Sequence, residues 1–453
     1  MGQQDPADVR FQEMQQTSAP PTPTRVRYWV LAAACILALI AYIHRVGFAT
    51  AGTYFKEDLG LTDSDWGDVM AAFLIAYGAF EVPWGLLGDW LGARSLLTIM
   101  ALGWSILTAA IPLVVFQQSR PVLGLALTPF WFLLTLRFLF GVFQAGIFPA
   151  ISRMMADWMP IEERGTSQGL VWTLSRVGGA VAPFVIGGVT AFLHSWQWCL
   201  VVVSGLGLVW CAIFYPWFRN KPAEMRQVND AERLLIERGR APQQAGHGDV
   251  PWKALFTSLS VWSLCLLYGF GGFSATFFIT LLPRYLRDHR HLSEMQAQWV
   301  SGMPLACGII ACLGGGALSD WIIRRTGNRT WGRRLSGMVG HVCAGLFLLE
   351  TIWVHNVWAL GFFFAATFFC NDLGMGPAWA ACADIGERYA GTVGGAMNMV
   401  GNLMAAAGSL MAGRLFHAGH TRLVFVIFAC SFWVASVCWM GVDATKSLSS
   451  RRP

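Results

Sequence analysis

The sequence predicts an all-α membrane protein with twelve transmembrane helices in two six-helix repeats. Three observations carry this. Of 453 residues, 55% are hydrophobic and only 13% charged, with a mean hydropathy of +0.49; a soluble chain carries about a quarter charged residues. The apolar residues come in blocks of about twenty, the length that crosses a hydrocarbon core about 30 Å thick. Finally, a ten-residue pattern recurs, as "GLLGDWLGAR" at 85–94 and "GALSDWIIRR" at 316–325.

Hydropathy places spans one to six at 28–50, 67–89, 95–116, 124–152, 166–193 and 197–218, and spans seven to twelve at 258–283, 297–322, 334–354, 356–380, 391–415 and 421–443. The chain therefore reads as an N-terminal tail (1–27), a six-helix bundle (28–218), a linker (219–257), a second six-helix bundle (258–443) and a C-terminal tail (444–453). The first tail is polar and proline-bearing ("SAPPTPT") and is expected to be disordered. It lacks the short apolar core and small-residue cleavage site of a signal peptide. In the linker, "DAERLLIERGR" predicts a short amphipathic surface helix ended by Gly239.

Charge sets the orientation. Arg25, Arg27, Arg94, Arg153, Arg164, "RRTGNRTWGRR" (324–334), Lys446, Arg451 and Arg452 all fall on one side, so the positive-inside rule places both termini in the cytoplasm and the spans in the inner membrane. "PRYLRDHRH" (283–291) runs against that bias. The net charge of +6 thus belongs to loops and calls for no nucleic-acid partner. Eleven cysteines are scattered singly with no metal spacing, and read as small core residues. No HExxH, nucleophile elbow, phosphate loop or ligand-spaced histidine cluster occurs, so neither an enzyme nor a cofactor is expected. An ATP-driven pump is excluded on the same ground.

The recurring pattern aligns Gly85, Asp89, Trp90 and Arg94 with Gly316, Asp320, Trp321 and Arg325 at one constant offset. Two repeated six-helix halves are the architecture of a transporter with a central site between them. The glycine allows close helix approach, the aspartate can meet the positive N-terminus of a neighbouring helix, and the basic residues anchor the inner surface.

With Gly85, Asp89, Gly92 and Arg94, the first copy resembles the G-x-x-x-D-[RK]-x-G-[RK]-[RK] signature of the major facilitator superfamily; Trp90 stands where a basic residue is usual. "YIHRVGFATAG" (42–52) is similar to the Y-x-D-R-x-N-L-S-x-A of the anion:cation symporter family, which includes hexuronate and galactonate transporters. "RFLFGVFQAGIFPAISRMMADWMPIEERGTSQG" from 137, "NKPAEM" and "AGTVGGAMNMVGNL" extend the resemblance over almost the whole chain. It implies the major facilitator fold, a monomer, and alternating-access uptake of a small organic anion, typically a sugar acid such as a hexuronate or aldonate, driven by protons.

Charges inside spans mark the candidate site. An unpaired arginine in the bilayer is too costly to be idle, and a guanidinium suits bidentate binding of a carboxylate. The resemblance makes Arg45 the residue that binds the substrate carboxylate. Tyr42, on its helical face, and Tyr77 in span two are candidates for substrate hydroxyls, or packed core. Arg176 in span five is a second cavity cation, suited to a dianion or neutralised by a protein acid. Asn398 is the best of three amides, with Asn371 and Asn402, that could bind sugar hydroxyls. Arg137 is expected to be structural, its stem snorkelling to the interface.

Two positions depart from the family: His44 and Gln144 stand where it carries acids. His44 is expected either to titrate or to pair with Gln144. Asp372, deep in span ten, is the replacement candidate for the coupling proton, with His44; the alternative is a static pair with Arg176. Asp384, nearer the cytoplasmic end, is expected to cap or gate. Uncoupled uniport or exchange, organophosphate antiport and a non-transporting sensor of the same fold are the alternatives.

Overall fold

The first apolar block begins as a helix at Val26 and runs without a break to Phe55 (α1). α2, Asp63–Leu91, starts on a capping box in which the Thr62 hydroxyl and the Asp65 carboxylate each accept from the other's backbone N–H, at 3.1 and 2.9 Å. It stops at Gly92, whose φ of +78° lets α3 (Ala93–Ala110) begin at once. α4 (Pro129–Gln144) opens on Thr128 with proline in its first turn, and α5 (Ile147–Trp158) continues the same span after a break at 145–146. α6 (Arg164–Leu193) and α7 (Trp196–Trp217) complete the first half. This computed structural model describes residues 22–55, 59–117, 128–238 and 251–448. Most of the N-terminal tail, the linker's Gly239, and Arg451 and Arg452 lie outside them.

The linker carries α8, Asp230–Glu237, capped by Asn229. Leu234 is exposed but Ile236 and Glu232 are fully buried, so the helix is less of a surface element than predicted. Glu232 accepts the backbone N–H groups of Val26 and Arg27 at 3.1 and 3.2 Å, and pairs with the Arg27 guanidinium at 3.1 Å. A carboxylate thus sits on the positive end of α1.

The second half repeats the first. α9 (Leu259–Thr276) passes through a π-helical turn into α10 (Leu282–Asp288). α11 (Glu294–Thr326) ends on Gly327 and α12 (Arg329–Glu350) begins on Asn328. α13 (Val357–Asp372) and α14 (Met375–Gly386) form one broken span, followed by α15 (Ala390–His417) and α16 (Thr421–Trp439). The breaks fall in the fourth span of each half, directly after Gln144 and Asp372. Ten stretches of the described residues are long and apolar enough to cross a membrane, one of which, Val357–His417, holds two spans. α12 is outside this set because Arg329, Arg333 and Arg334 crowd its start. Large apolar side chains such as Ile213 and Val437 are exposed, as a lipid-facing surface requires.

The first and last described segments lie at one end of the bundle: Thr24 bonds Asn229 of the linker, and Thr330 at the start of α12 bonds Asp443. We call this the terminal end. There one core cluster runs through both halves, joining Trp158 and Phe148 to Trp379 and Tyr389. At the other end the cores separate, one cluster holding Phe48, Leu133 and Leu200 and another Phe277, Phe364 and Phe425. The halves are therefore sealed together at the terminal end and parted at the far end.

Candidate functional site

α2 packs on α15 and α6 on α11, and the two signature copies make those contacts close. A Cβ on Gly85 would meet the Gly391 carbonyl, and one on Gly316 the Gly165 carbonyl. Each signature aspartate crosses to the other half. Asp89 accepts the backbone N–H of Gly391 (3.0 Å) and of Thr392 (2.8 Å) at the start of α15, with the Thr392 hydroxyl. Asp320 accepts those of Gly165 (3.0 Å) and Thr166 (2.6 Å) at the start of α6. The expected meeting of aspartate and helix N-terminus is thus made twice.

Ion pairs reinforce the seal. Asp384 binds Arg164 at 2.6 Å and Arg333 at 3.0 Å; Arg333 also binds Asp320 at 2.6 Å and donates to the Ile161 carbonyl. Asp384 therefore lies in an ion-pair network that ties the halves together, and Arg333 is its centre. Arg325, picked out by the sequence pattern, is exposed and stacks on its own helix's Trp321. Arg94 instead anchors the first half, donating to the Tyr215 carbonyl at 2.8 Å while its backbone N–H meets Asn220.

Beyond these ion pairs, toward the far end, lies an aromatic floor. Phe148 stacks on Trp172 at 4.2 Å between centroids; Trp379 packs on both and donates to the Tyr268 hydroxyl. The charged residues of the spans stand around this floor.

Arg45 donates through Nε to Gln144 Oε1 at 3.1 Å, and Gln144 in turn donates to the Ala41 carbonyl. The guanidinium lies over the rings of Tyr77 (4.5 Å), Tyr42 (4.9 Å) and Phe73 (5.2 Å). Its Nη2 has no protein partner. Tyr77 accepts from Asn398 Nδ2 at 3.3 Å, and the same amide donates to Glu81 Oε1 at 2.5 Å. Asn402 donates to that oxygen as well, at 2.8 Å. Arg45, Tyr42, Tyr77 and Asn398 are thus brought together.

Arg176 forms a separate pair. Its Nη2 binds Asp372 Oδ2 at 2.7 Å across the interface, while Asn371 donates to the other carboxylate oxygen at 3.0 Å. Asp372 is brought to Arg176 and not to His44. The His44 ring turns away between α3 and α7: Nε2 donates to the Val203 carbonyl at 3.0 Å, and Nδ1 faces the Thr108 hydroxyl at 3.2 Å. The expected His44–Gln144 pair is absent because Gln144 is occupied by Arg45 and the backbone. A step of about 100° per residue puts neighbouring positions 44 and 45 on different faces.

Arg137 also differs from expectation. It does not snorkel; it is 1% exposed, enclosed by Phe48, Phe73 and Phe140, beside a cavity of about 10 Å³ that His44 also lines. Sequence reasoning missed Glu81 and Arg333. An acid in the middle of "GAFEVPWG" was signal enough, since an ionisable residue inside a span marks function by default. Arg333 had no such signal, lying among four other arginines at 324–334.

A membrane-embedded pair of six-helix halves, sealed at one end around a central cationic site, defines a transporter rather than an enzyme. The chain belongs to the Major Facilitator Superfamily, whose model matches residues 34–409. It is 28% identical over 428 residues to a probable sulfoacetate transporter of Cupriavidus necator, covering 94% of this chain and 96% of that one. It is 29% identical over 404 residues to a probable galactarate/D-glucarate transporter of Escherichia coli, covering 86% and 87%. In fold it is similar to a proton:xylose symporter (TM-score 0.69, 14% identity, 93% and 96% covered). A human organic anion transporter is comparable (TM-score 0.65, 15% identity, 93% and 100% covered).

Proposed function

We propose that this transporter takes up a small organic anion, a sugar acid or a short sulfonated acid, by alternating access and in symport with protons. Arg45 carries the reading. It stands in the parted region between the halves with one guanidinium nitrogen unpartnered, flanked by two tyrosine rings and an amide from the opposite half. A carboxylate or sulfonate would complete its hydrogen bonding, and Tyr42, Tyr77 and Asn398 would meet the substrate's hydroxyl groups. The names of the two relatives, each a transporter of a small acid, support this class. Arg176 is available to a second anionic group once Asp372 takes a proton, which makes Asp372 a candidate for coupling. The arginine-rich loops support cytoplasmic termini in an inner membrane, with the far end facing outward. We take the working unit to be the monomer.

A second reading, exchange without protons, is favoured by one observation: the His44 ring is committed to Thr108 and Val203. Uptake of labelled D-glucarate and sulfoacetate into proteoliposomes decides between them. Accumulation with an inward proton gradient supports symport, and counterflow alone supports exchange. Arg45→Gln should weaken binding about tenfold to a hundredfold, the worth of a charged hydrogen bond of about 1.5–3 kcal/mol. Undiminished binding in that variant would remove Arg45 from the site, and no binding of either anion to wild type would sink the substrate class.

A further inference from the structure

The buried acids of this chain differ in how their oxygens are held. Asp320 and Asp384 share Arg333, Asp372 has Arg176, and Glu232 has Arg27. Glu81, fully buried in α2, has no cation in hydrogen-bonding contact among the described residues. Its Oε1 takes both Asn398 and Asn402 from α15, and its Oε2 is the only buried carboxyl oxygen without a partner among the described residues. A carboxylate left that way inside a membrane protein binds a proton readily, because the neutral acid keeps the Oε1 bonds and loses the desolvation cost of the charge.

The groups that face Glu81 define what its proton would respond to. Arg45 from α1, Tyr77 from α2 and Tyr268 from α9 lie within electrostatic range. α15 offers only neutral amides. Arg153 of α5 is paired with Asp157, and Arg137 of α4 lies against Phe73, about two turns away along α2. Among the described residues Arg45 is therefore the one facing cation that is free of a carboxylate. With Arg176 and Asp372 cancelling one another, Arg45 and Glu81 set the net charge beside the aromatic floor.

We propose that Glu81 carries the coupling proton, and that anion binding at Arg45 and proton binding at Glu81 favour one another; this rests on the anion-transport reading. With Glu81 ionised, one carboxylate or sulfonate group on Arg45 leaves Arg45, Glu81 and that group with one negative charge in excess. A proton added from far-end water to Oε2 restores neutrality, and the same proton leaves when the anion is released on the other side. Linkage makes the effect reciprocal: the anion raises proton affinity by the factor by which the proton raises anion affinity. Because Asn398 touches both Tyr77 and Glu81, it joins the two sites across the interface.

Glu81→Gln tests this, being of equal size and able to keep Oε1 as an acceptor. With a gradient of one pH unit and the membrane potential held at zero, wild type should accumulate D-glucarate or sulfoacetate about tenfold for one proton per anion. Glu81→Gln should equilibrate it without accumulation while keeping counterflow, which also shows that it folds. Accumulation retained by Glu81→Gln but lost by Asp372→Asn overturns the proposal. A ligand-free arm separates its failure from that of the substrate reading. Infrared difference spectra between acid and neutral pH should show a buried carboxylic acid band that Glu81→Gln removes and Asp372→Asn leaves. A band unchanged in Glu81→Gln overturns the proposal whether or not either anion is carried.

Discussion

Arg176 and Asp372 meet at 2.7 Å across the interface between the halves, with the carboxylate fully buried and the arginine 13% exposed. Removing one partner strands the other charge. Arg176→Gln or Asp372→Asn alone should therefore lower stability in detergent, by about 3 kcal/mol at the lower end for buried pairs. The double variant, which strands nothing, should recover most of that in thermal unfolding. A double variant as unstable as the single ones would show that the pair is held for some other reason.

The signature glycines are sites of contact, not flexibility. A side chain at Gly316 would press on the Gly165 carbonyl only when the terminal end is sealed. Gly316→Val should fold, since each half's own core is untouched, but fail to complete transport. Spin labels at the exposed positions 90 and 321 should report a longer separation than in wild type. Gly78→Ala, in open space on α2, serves as the control and should leave uptake intact.

Asp89 offers a graded version of the same experiment. Asparagine keeps an acceptor for the Gly391 and Thr392 donors but loses the charge facing the α15 N-terminus. That charge is worth about 1 kcal/mol, so Asp89→Asn should raise the population open at the terminal end roughly fivefold. The same two labels would detect it as a second distance. An unchanged distance distribution would assign the cap no part in the seal.

Much of this was legible because membrane helices announce themselves. Twenty-residue apolar blocks, arginine-rich loops and the repeated "GLLGDWLGAR" gave the spans and their pairing into halves without any tertiary information. Arg45 was legible for the same reason, as a charge where charge is expensive. Partners were not. Whether Asp372 meets Arg176 or His44 depends on which helix faces cross, and a single sequence does not state that. His44 shows the same limit: one residue along a helix moves from the cavity to the packing between α3 and α7, so a motif position does not fix where a side chain points. Glu81 was passed over beside Pro83 and the signature glycine, although its burial cost was as readable as that of Asp372.

The crossed caps constrain the order of events in a transport cycle. Asp89 and Asp320 each sit on a helix end belonging to the other half, so parting the terminal end uncovers two carboxylates and two sets of backbone donors together. Those groups can be uncovered only where water reaches them. Closing the far end disturbs neither. Opening the terminal end has to break both sets of bonds, one on each signature aspartate.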